Sequence, residues 1–285
     1  MAQTMVLFFF SGTGNTWWCA ATFAREAAAS GLQVECISLE AVTSKIAHKR
    51  IQEADLLGLA YPVYGSDAPE PVHRFVQSLA PAETEAAPKR ALVFCTQYLW
   101  SGDGAAVGAD LLTERGFPVI WTQHILMPNN VCLPIQPKFP FTNDLGRLGG
   151  KLRRARNKLR HLAVRVAQGR PLHHGRSFGA RLLGRLQREP YRRMQPTLRT
   201  VLAIDHDICI HCGLCLEICP VSNIADFGGS LMMLGQCVFC LRCYNFCPVA
   251  AITAAGRHHE QRRGTPYRGP CPNFDPRILR QSHPC

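Results

Sequence analysis

The chain has 285 residues, room for two domains of ordinary size, and 47% of them are apolar, so composition does not limit its cores. The net charge of +12 is unevenly spread: residues 146–200 hold sixteen of the 32 Lys and Arg and a single acid, Glu189, which leaves the remainder at −3. This excludes a uniformly basic nucleic-acid binder, and no recognised binding motif accompanies the charge. The N-terminal apolar run over 5–10 has no basic residue before it, as an export signal would, and is too short to cross a bilayer.

Residues 4–10 (TMVLFFF) suit a buried parallel strand and lead into Ser11-Gly12-Thr13-Gly14-Asn15-Thr16. An amphipathic helix follows over 17–30, ended by Gly31. Strand, hydroxyl- and glycine-rich turn and helix together make an anion site, because backbone N–H groups and the helix N-terminus favour negative charge. The loop lacks the lysine of a nucleoside-triphosphate loop and the spacing of a dinucleotide fingerprint. Strands over 34–38, 54–60, 90–95 and 119–127 alternate with helices over 69–80, 105–116 and 148–168. That is the pattern of a doubly wound α/β sheet, whose ligands bind beyond the carboxyl ends of the strands. Two more loops leave at that edge, 61–67 with Tyr64 and Gly65, and 96–103 with Tyr98 and Trp100. Their aromatic and glycine content suits a flat heteroaromatic ligand. Cys19, Cys36 and Cys95 fall in these elements and read as small buried packers, whereas Cys132 lies in a loop and has no assignment.

The helix over 148–168 carries Leu148, Leu152, Ala155, Leu159, Leu162 and Val166 at helical spacing, with its basic side in water. In 176–199, Phe178, Leu182 and Leu186 share a face, Arg181, Arg185 and Arg188 surround it, and Pro190 and Pro196 break the pattern. The expectation here is a solvated basic linker; an acidic protein partner or peripheral contact with an anionic membrane surface are the alternatives.

The strongest signal is an internal repeat. Cys209, Cys212, Cys215 and Cys219 followed by Pro220 recur 28 residues later as Cys237, Cys240, Cys243 and Cys247 followed by Pro248. Both copies read C-x2-C-x2-C-x3-C-P, the two-cluster 4Fe–4S run in which the fourth cysteine ligates the other cluster. The spacing therefore assigns Cys209, Cys212, Cys215 and Cys247 to one cluster and Cys237, Cys240, Cys243 and Cys219 to the second. Structural zinc uses pairs of cysteines across a longer spacer. His211, inside the first loop, reads as a solvent-facing side chain. Fourteen cysteines in so long a chain, eight of them in this repeat, point to a reducing, cytoplasmic setting where thiols serve metals.

The segment FFFSGTGNT resembles the phosphate loop of flavodoxins. The resemblance implies that Ser11, Thr13, Asn15 and Thr16 bind the phosphate of FMN, with N–H groups from Gly12 and Gly14. It puts Tyr64 on one face of the flavin ring, Trp100 or Tyr98 on the other, and Gly65 where a peptide swings to meet the ring. Together with PVYG at 62–65, MPNN at 127–130, CPVSNI at 219–224 and CLRCYNFCP at 240–248, the chain resembles the flavodoxin–ferredoxin fusion proteins of anaerobes over most of residues 4–253. Val131 departs from the aromatic expected after MPNN. The implied organisation is a flavodoxin-like FMN-binding α/β domain (1–170), a basic linker (171–199), a small α+β ferredoxin-like domain with two 4Fe–4S clusters (200–255) and a tail without order (256–285) whose Cys271 and Cys285 are free thiols. The implied function is electron transfer between FMN and the clusters on behalf of redox protein partners. Two alternatives stay open: a flavin-dependent reductase fed through the clusters, and a cluster-bearing interaction or sensor module without flavin.

Overall fold

The computed structural model describes residues 3–81, 88–137 and 148–281. Strand β1 (Gln3–Phe9) is apolar on both faces, with Val6 and Phe8 pointing one way and Met5, Leu7 and Phe9 the other, all buried. A strand of that kind needs helices on both sides. They come from α1 (Asn15–Ala28), β2 (Leu32–Ser38), α2 (Ser44–Glu53), β3 (Leu56–Pro62), α3 (Glu70–Ser78), β4 (Arg90–Gln97), α4 (Gly104–Glu114), β5 (Val119–Leu126), α5 (Leu148–Ala167) and the short β6 (Leu172–His173). The strands pair in parallel in the order β2-β1-β3-β4-β5-β6. That is the flavodoxin-like doubly wound order extended by one edge strand. Ile51, Phe75 and Leu112 of α2, α3 and α4 fill one face, and Phe23, Leu159 and Val166 of α1 and α5 the other. Cys19, Cys36 and Cys95 are buried in these layers.

The connector departs from the expected solvated linker. Helix α6 (Phe178–Leu198) runs unbroken through Pro190 and Pro196 and begins at a Ser177 cap whose hydroxyl accepts from the Ala180 N–H. Proline inside a helix costs about 3 kcal/mol. Here ion pairs along one side hold the helix in place: Arg181 with Asp110 (2.8 Å), Arg188 with Asp103, Arg192 with Asp67 (2.7 Å) and Arg199 with Glu70 (3.3 Å). The charged side therefore faces the sheet domain. The face with Phe178, Leu182 and Leu186 points outward, with Phe178 83% and Leu186 62% exposed. Two buried acids, Asp67 and Asp103, set this orientation, because neither tolerates burial without a cation.

The C-terminal domain follows as β7 (Leu202–Ile204), α7 (Leu214–Glu217), β8 (Ile224–Phe227), β9 (Ser230–Met233), α8 (Arg242–Phe246) and β10 (Ile252–Ala254). β7 pairs antiparallel with β10, and β8 with β9 through Gly228-Gly229, both at positive φ as a tight hairpin requires. Leu202, Leu241, Tyr244 and Ile252 form its core, together with Leu133 from the first domain.

Residues 256–281 do not lack order. Their composition is rich in Arg, Pro and Gly, yet the few large apolar side chains are all used. Tyr267 and Leu279 are fully buried, and Phe274 packs on Trp17 and Phe246 at 5.2 and 5.8 Å. The segment staples the two domains together, with Arg277 paired to Glu217 (2.8 Å) and Ser38 Oγ donating to the Leu279 carbonyl (2.5 Å). Cys271 is half-buried; Cys285 lies outside the described residues.

Candidate metal centre

The two cysteine runs have the same backbone. Each wraps through left-handed residues at matching positions: His211 and Phe239, Gly213 and Leu241, Ser222 and Ala250, with φ between 51° and 71°. Five of the six are not glycine, and such residues cost about 1–3 kcal/mol each where they persist. Strain repeated at a 28-residue period marks a conformation that the site needs. The same period governs the sulfurs. Asn223 N–H donates to Cys219 Sγ and Ala251 N–H to Cys247 Sγ, both at 3.2 Å, and Phe239 N–H donates to Cys237 Sγ at 3.3 Å.

The thiols fall into two groups. A cavity opens among Cys209, Cys212, Cys215 and Cys247, walled by Ile204, Leu231 and Ile252. Burial pushes the Cys215 thiol up to about 11, and its neighbours Cys247, Cys209 and Cys212 add to the rise. Burial also pushes Cys240 up to about 12, with Cys237 and Cys219 acting in the same direction. Cys243 is raised first by burial, then by Cys240, Cys237, Cys219 and Cys215. Among the described residues no three His, Cys, Asp or Glu close on a single ion, as mononuclear zinc would need. An all-thiol donor set around a cavity fits a 4Fe–4S group. Binding iron would release the protons that the crowded thiols retain.

The second group lies against the first domain. Arg242 of α8 is completely buried and donates to the carbonyls of Ser11 (2.7 Å), Gly12 (2.9 Å) and Ile218 (2.7 Å). It also forms a bidentate pair with buried Glu40, at 2.6 and 2.9 Å. Burial opposes its charge, and Glu40 outweighs that cost. Sequence reasoning missed this residue; the signal was an arginine between two ligand cysteines, Cys240 and Cys243.

The structure brings Ser11, Gly12, Thr13, Gly14, Asn15 and Thr16 together at the start of α1. Their polar groups are engaged within the protein. Ser11 Oγ accepts from the N–H groups of Gly14 and Trp17, both 3.2 Å. Thr13 Oγ1 accepts from Asn130 Nδ2 (2.9 Å), and Thr16 Oγ1 pairs with Thr96 Oγ1 (2.8 Å). Asn15 donates to the Pro128 carbonyl (3.0 Å) and accepts from the Tyr267 hydroxyl (2.5 Å). Tyr64 and Gly65 lie beside this loop, whereas Trp100 is 52% exposed and Tyr98 sits under Lys151 Nζ at 3.9 Å.

Residues 202–224, including the first cysteine run, match the family model for a 4Fe-4S binding domain. The chain joins a flavodoxin-like fold to a 4Fe–4S binding domain. Similar solved structures include a flavodoxin from the domain Archaea, at 15% identity over 59% of this chain and 98% of that one, with a TM-score of 0.40. Flavodoxin from Megasphaera elsdenii is 20% identical over 58% of this chain and 99% of that one, TM-score 0.41. Flavodoxin from Streptococcus pneumonia TIGR4 is 17% identical over 59% and 99%, TM-score 0.41. The fold assignment rests on the strand order, not on these likenesses. No curated protein matches the chain in sequence. Among the described residues no helix is long and apolar enough to cross a membrane.

For this flavodoxin-like domain, FMN is the group the resemblance implies. The residues do not fit it in this arrangement. Pro270 and Phe274 roof the loop, 2.7 Å from where a Cβ on Gly14 would stand. Tyr191 of α6 abuts Gly65. Among the described residues, the cleft lined by Tyr64, Tyr191 and Phe239 is water-sized, with room for about one molecule.

Proposed function

We propose that the chain is an electron-transfer protein that holds two 4Fe–4S clusters, one in each thiol group. What supports this is the doubled run: three left-handed positions in each copy and the N–H bonds to Cys219 and Cys247 repeat with the 28-residue period of the cysteines. When bound, such clusters supply reversible one-electron chemistry. The protein's part is to set their surroundings. N–H groups at Cys219, Cys237 and Cys247 and the Arg242 cation all favour added negative charge. Cys212 is exposed and Ile210 is 60% exposed, so the first site meets the surface and a redox partner docks over residues 208–212. The second site is enclosed by the first domain through Cys240 and Arg242. FMN does not enter this reading, because its expected place is filled. Membrane contact through 176–199 retains only the outward apolar face of α6 as support.

Coulometric reduction of the anaerobically reconstituted full chain tests the proposal. Uptake of about two electrons per chain, without flavin bleaching, is expected for two one-electron clusters. Uptake of a single electron would remove the second site.

A further inference from the structure

The flavin resemblance rests on three loops, and the C-terminal segment, α6 and the C-terminal domain cover them between them. On the phosphate side the C-terminal segment takes the position. Gly14 faces Pro270 and Phe274, and the Tyr267 hydroxyl holds the Asn15 amide. On the ring side the polar face of α6 enters. Gly65, at φ +58°, abuts the Tyr191 ring, and Gly102, also at φ +58°, abuts the backbone of Gly184. Ser66 bonds Gln187, and its carbonyl accepts from Arg188 Nε (3.1 Å). Arg188 reaches on to Asp103, so one arginine bridges the loops around Tyr64 and Trp100. Between the two sides, the C-terminal domain supplies Cys240 and Arg242. The Tyr64 hydroxyl and the Cys240 carbonyl lie 2.6 and 3.0 Å from a Cβ position on Gly12.

We infer that this flavodoxin-like domain is a flavin-free docking platform, in which α6 takes the place of the flavin ring and the 4Fe–4S domain seats on the emptied loop. The chemistry of the contacts agrees. Two buried acids, Asp67 and Asp103, line the position, and α6 brings the Arg192 and Arg188 cations to them. Burial works against the Asp67 carboxylate, but bonds from His73 and Arg192 hold it below the usual carboxylate range. The glycines that could let a ring approach closely here let a helix approach. The loop hydroxyls that could bind a phosphate here bind Asn130, Thr96 and the loop's own N–H groups. Arg181, Arg188, Arg192 and Arg199 of the connector serve this role, since the acids they meet are on the sheet domain.

The inference does not depend on how many clusters the chain carries, so its test can fail alone. The reconstituted full chain is titrated into FMN at micromolar concentration, following flavin fluorescence and the flavin retained after ultrafiltration. Wild type is expected to leave FMN free. The Arg188→Ala, Tyr191→Ala double variant, with α6 loosened, is expected to bind FMN at least about tenfold more tightly. Its iron content and circular dichroism report whether the fold survives. If it loses iron, Arg192→Ala, which removes one half-exposed ion pair, takes its place. One FMN per wild-type chain would overturn the inference. Absence of binding by both wild type and loosened variant would overturn the assignment of α6 as what excludes the ring.

Discussion

Arg242→Ala is the sharpest test of how the two domains are joined. The side chain is fully buried, and its partner Glu40 is nearly so. The substitution leaves a buried carboxylate without its cation and the carbonyls of Ser11, Gly12 and Ile218 without their donor. Removing one member of a buried pair costs about 3–5 kcal/mol, mostly as the penalty on the charge left behind. Against a total stability of about 5–15 kcal/mol this is a large fraction. For a chain of this size it lowers the melting temperature by about 10 °C. The assay is thermal unfolding of the reconstituted protein, read by circular dichroism and by cluster absorbance, with iron measured in parallel because Cys240 and Cys243 are close. The double variant Arg242→Met, Glu40→Leu removes both charges and is expected to recover much of the loss. A loss under about 1 kcal/mol for Arg242→Ala, or no recovery in the double variant, would refute the buried pair as the clamp.

Three further outcomes follow from the same geometry. Burial holds His124 down to about 3, with His174 and Lys158 acting in the same direction, so the folded chain keeps it neutral. The unfolded chain binds that proton below about pH 6.5, and stability therefore falls as pH drops below that value, by at most about 1.4 kcal/mol per pH unit. His124→Gln, which can still accept from the Ala105 N–H, flattens that slope in denaturant titrations between pH 6.5 and 4; an unchanged slope would contradict the assignment. Gly184→Ala gains about 1 kcal/mol of helix propensity but drives a Cβ into the Asp103 carboxylate. The clash wins, by about 1–3 kcal/mol, and limited proteolysis detects a loosened α6. Among the described residues the buried Tyr64 hydroxyl has no hydrogen-bond partner, and an orphan of that kind costs about 1–3 kcal/mol. Tyr64→Phe therefore leaves the melting temperature unchanged or raised, and a fall of several degrees would show that the hydroxyl has a partner.

The sheet was legible because its signals are local. The apolar run of β1, the glycine turn before α1 and the alternation of later elements each follow from a few adjacent residues. Helix α2 was not, since its sequence is mostly polar and only Ala47 and Ile51 are buried. The cysteine repeat was equally readable, because a 28-residue period needs no tertiary information. What the sequence concealed was long-range. Nothing near Asp67 or Asp103 says that their partners lie on residues 181–199, so the whole of α6 looked like a solvated linker. The same gap hid the ordered tail, where Tyr267, Phe274 and Leu279 find partners in the first domain. Residues 11–16 are adjacent in sequence, but the hydrogen bonds that occupy them come from Asn130, Thr96, Pro128 and Tyr267, remote in the chain.

Iron and acid-labile sulfide per chain, measured after anaerobic purification and reconstitution, test the central claim most directly. The two-cluster account predicts about eight of each per wild-type chain and about four iron in a variant with Cys237, Cys240 and Cys243 replaced by serine. About four in the wild type, with the second run contributing none, would contradict it.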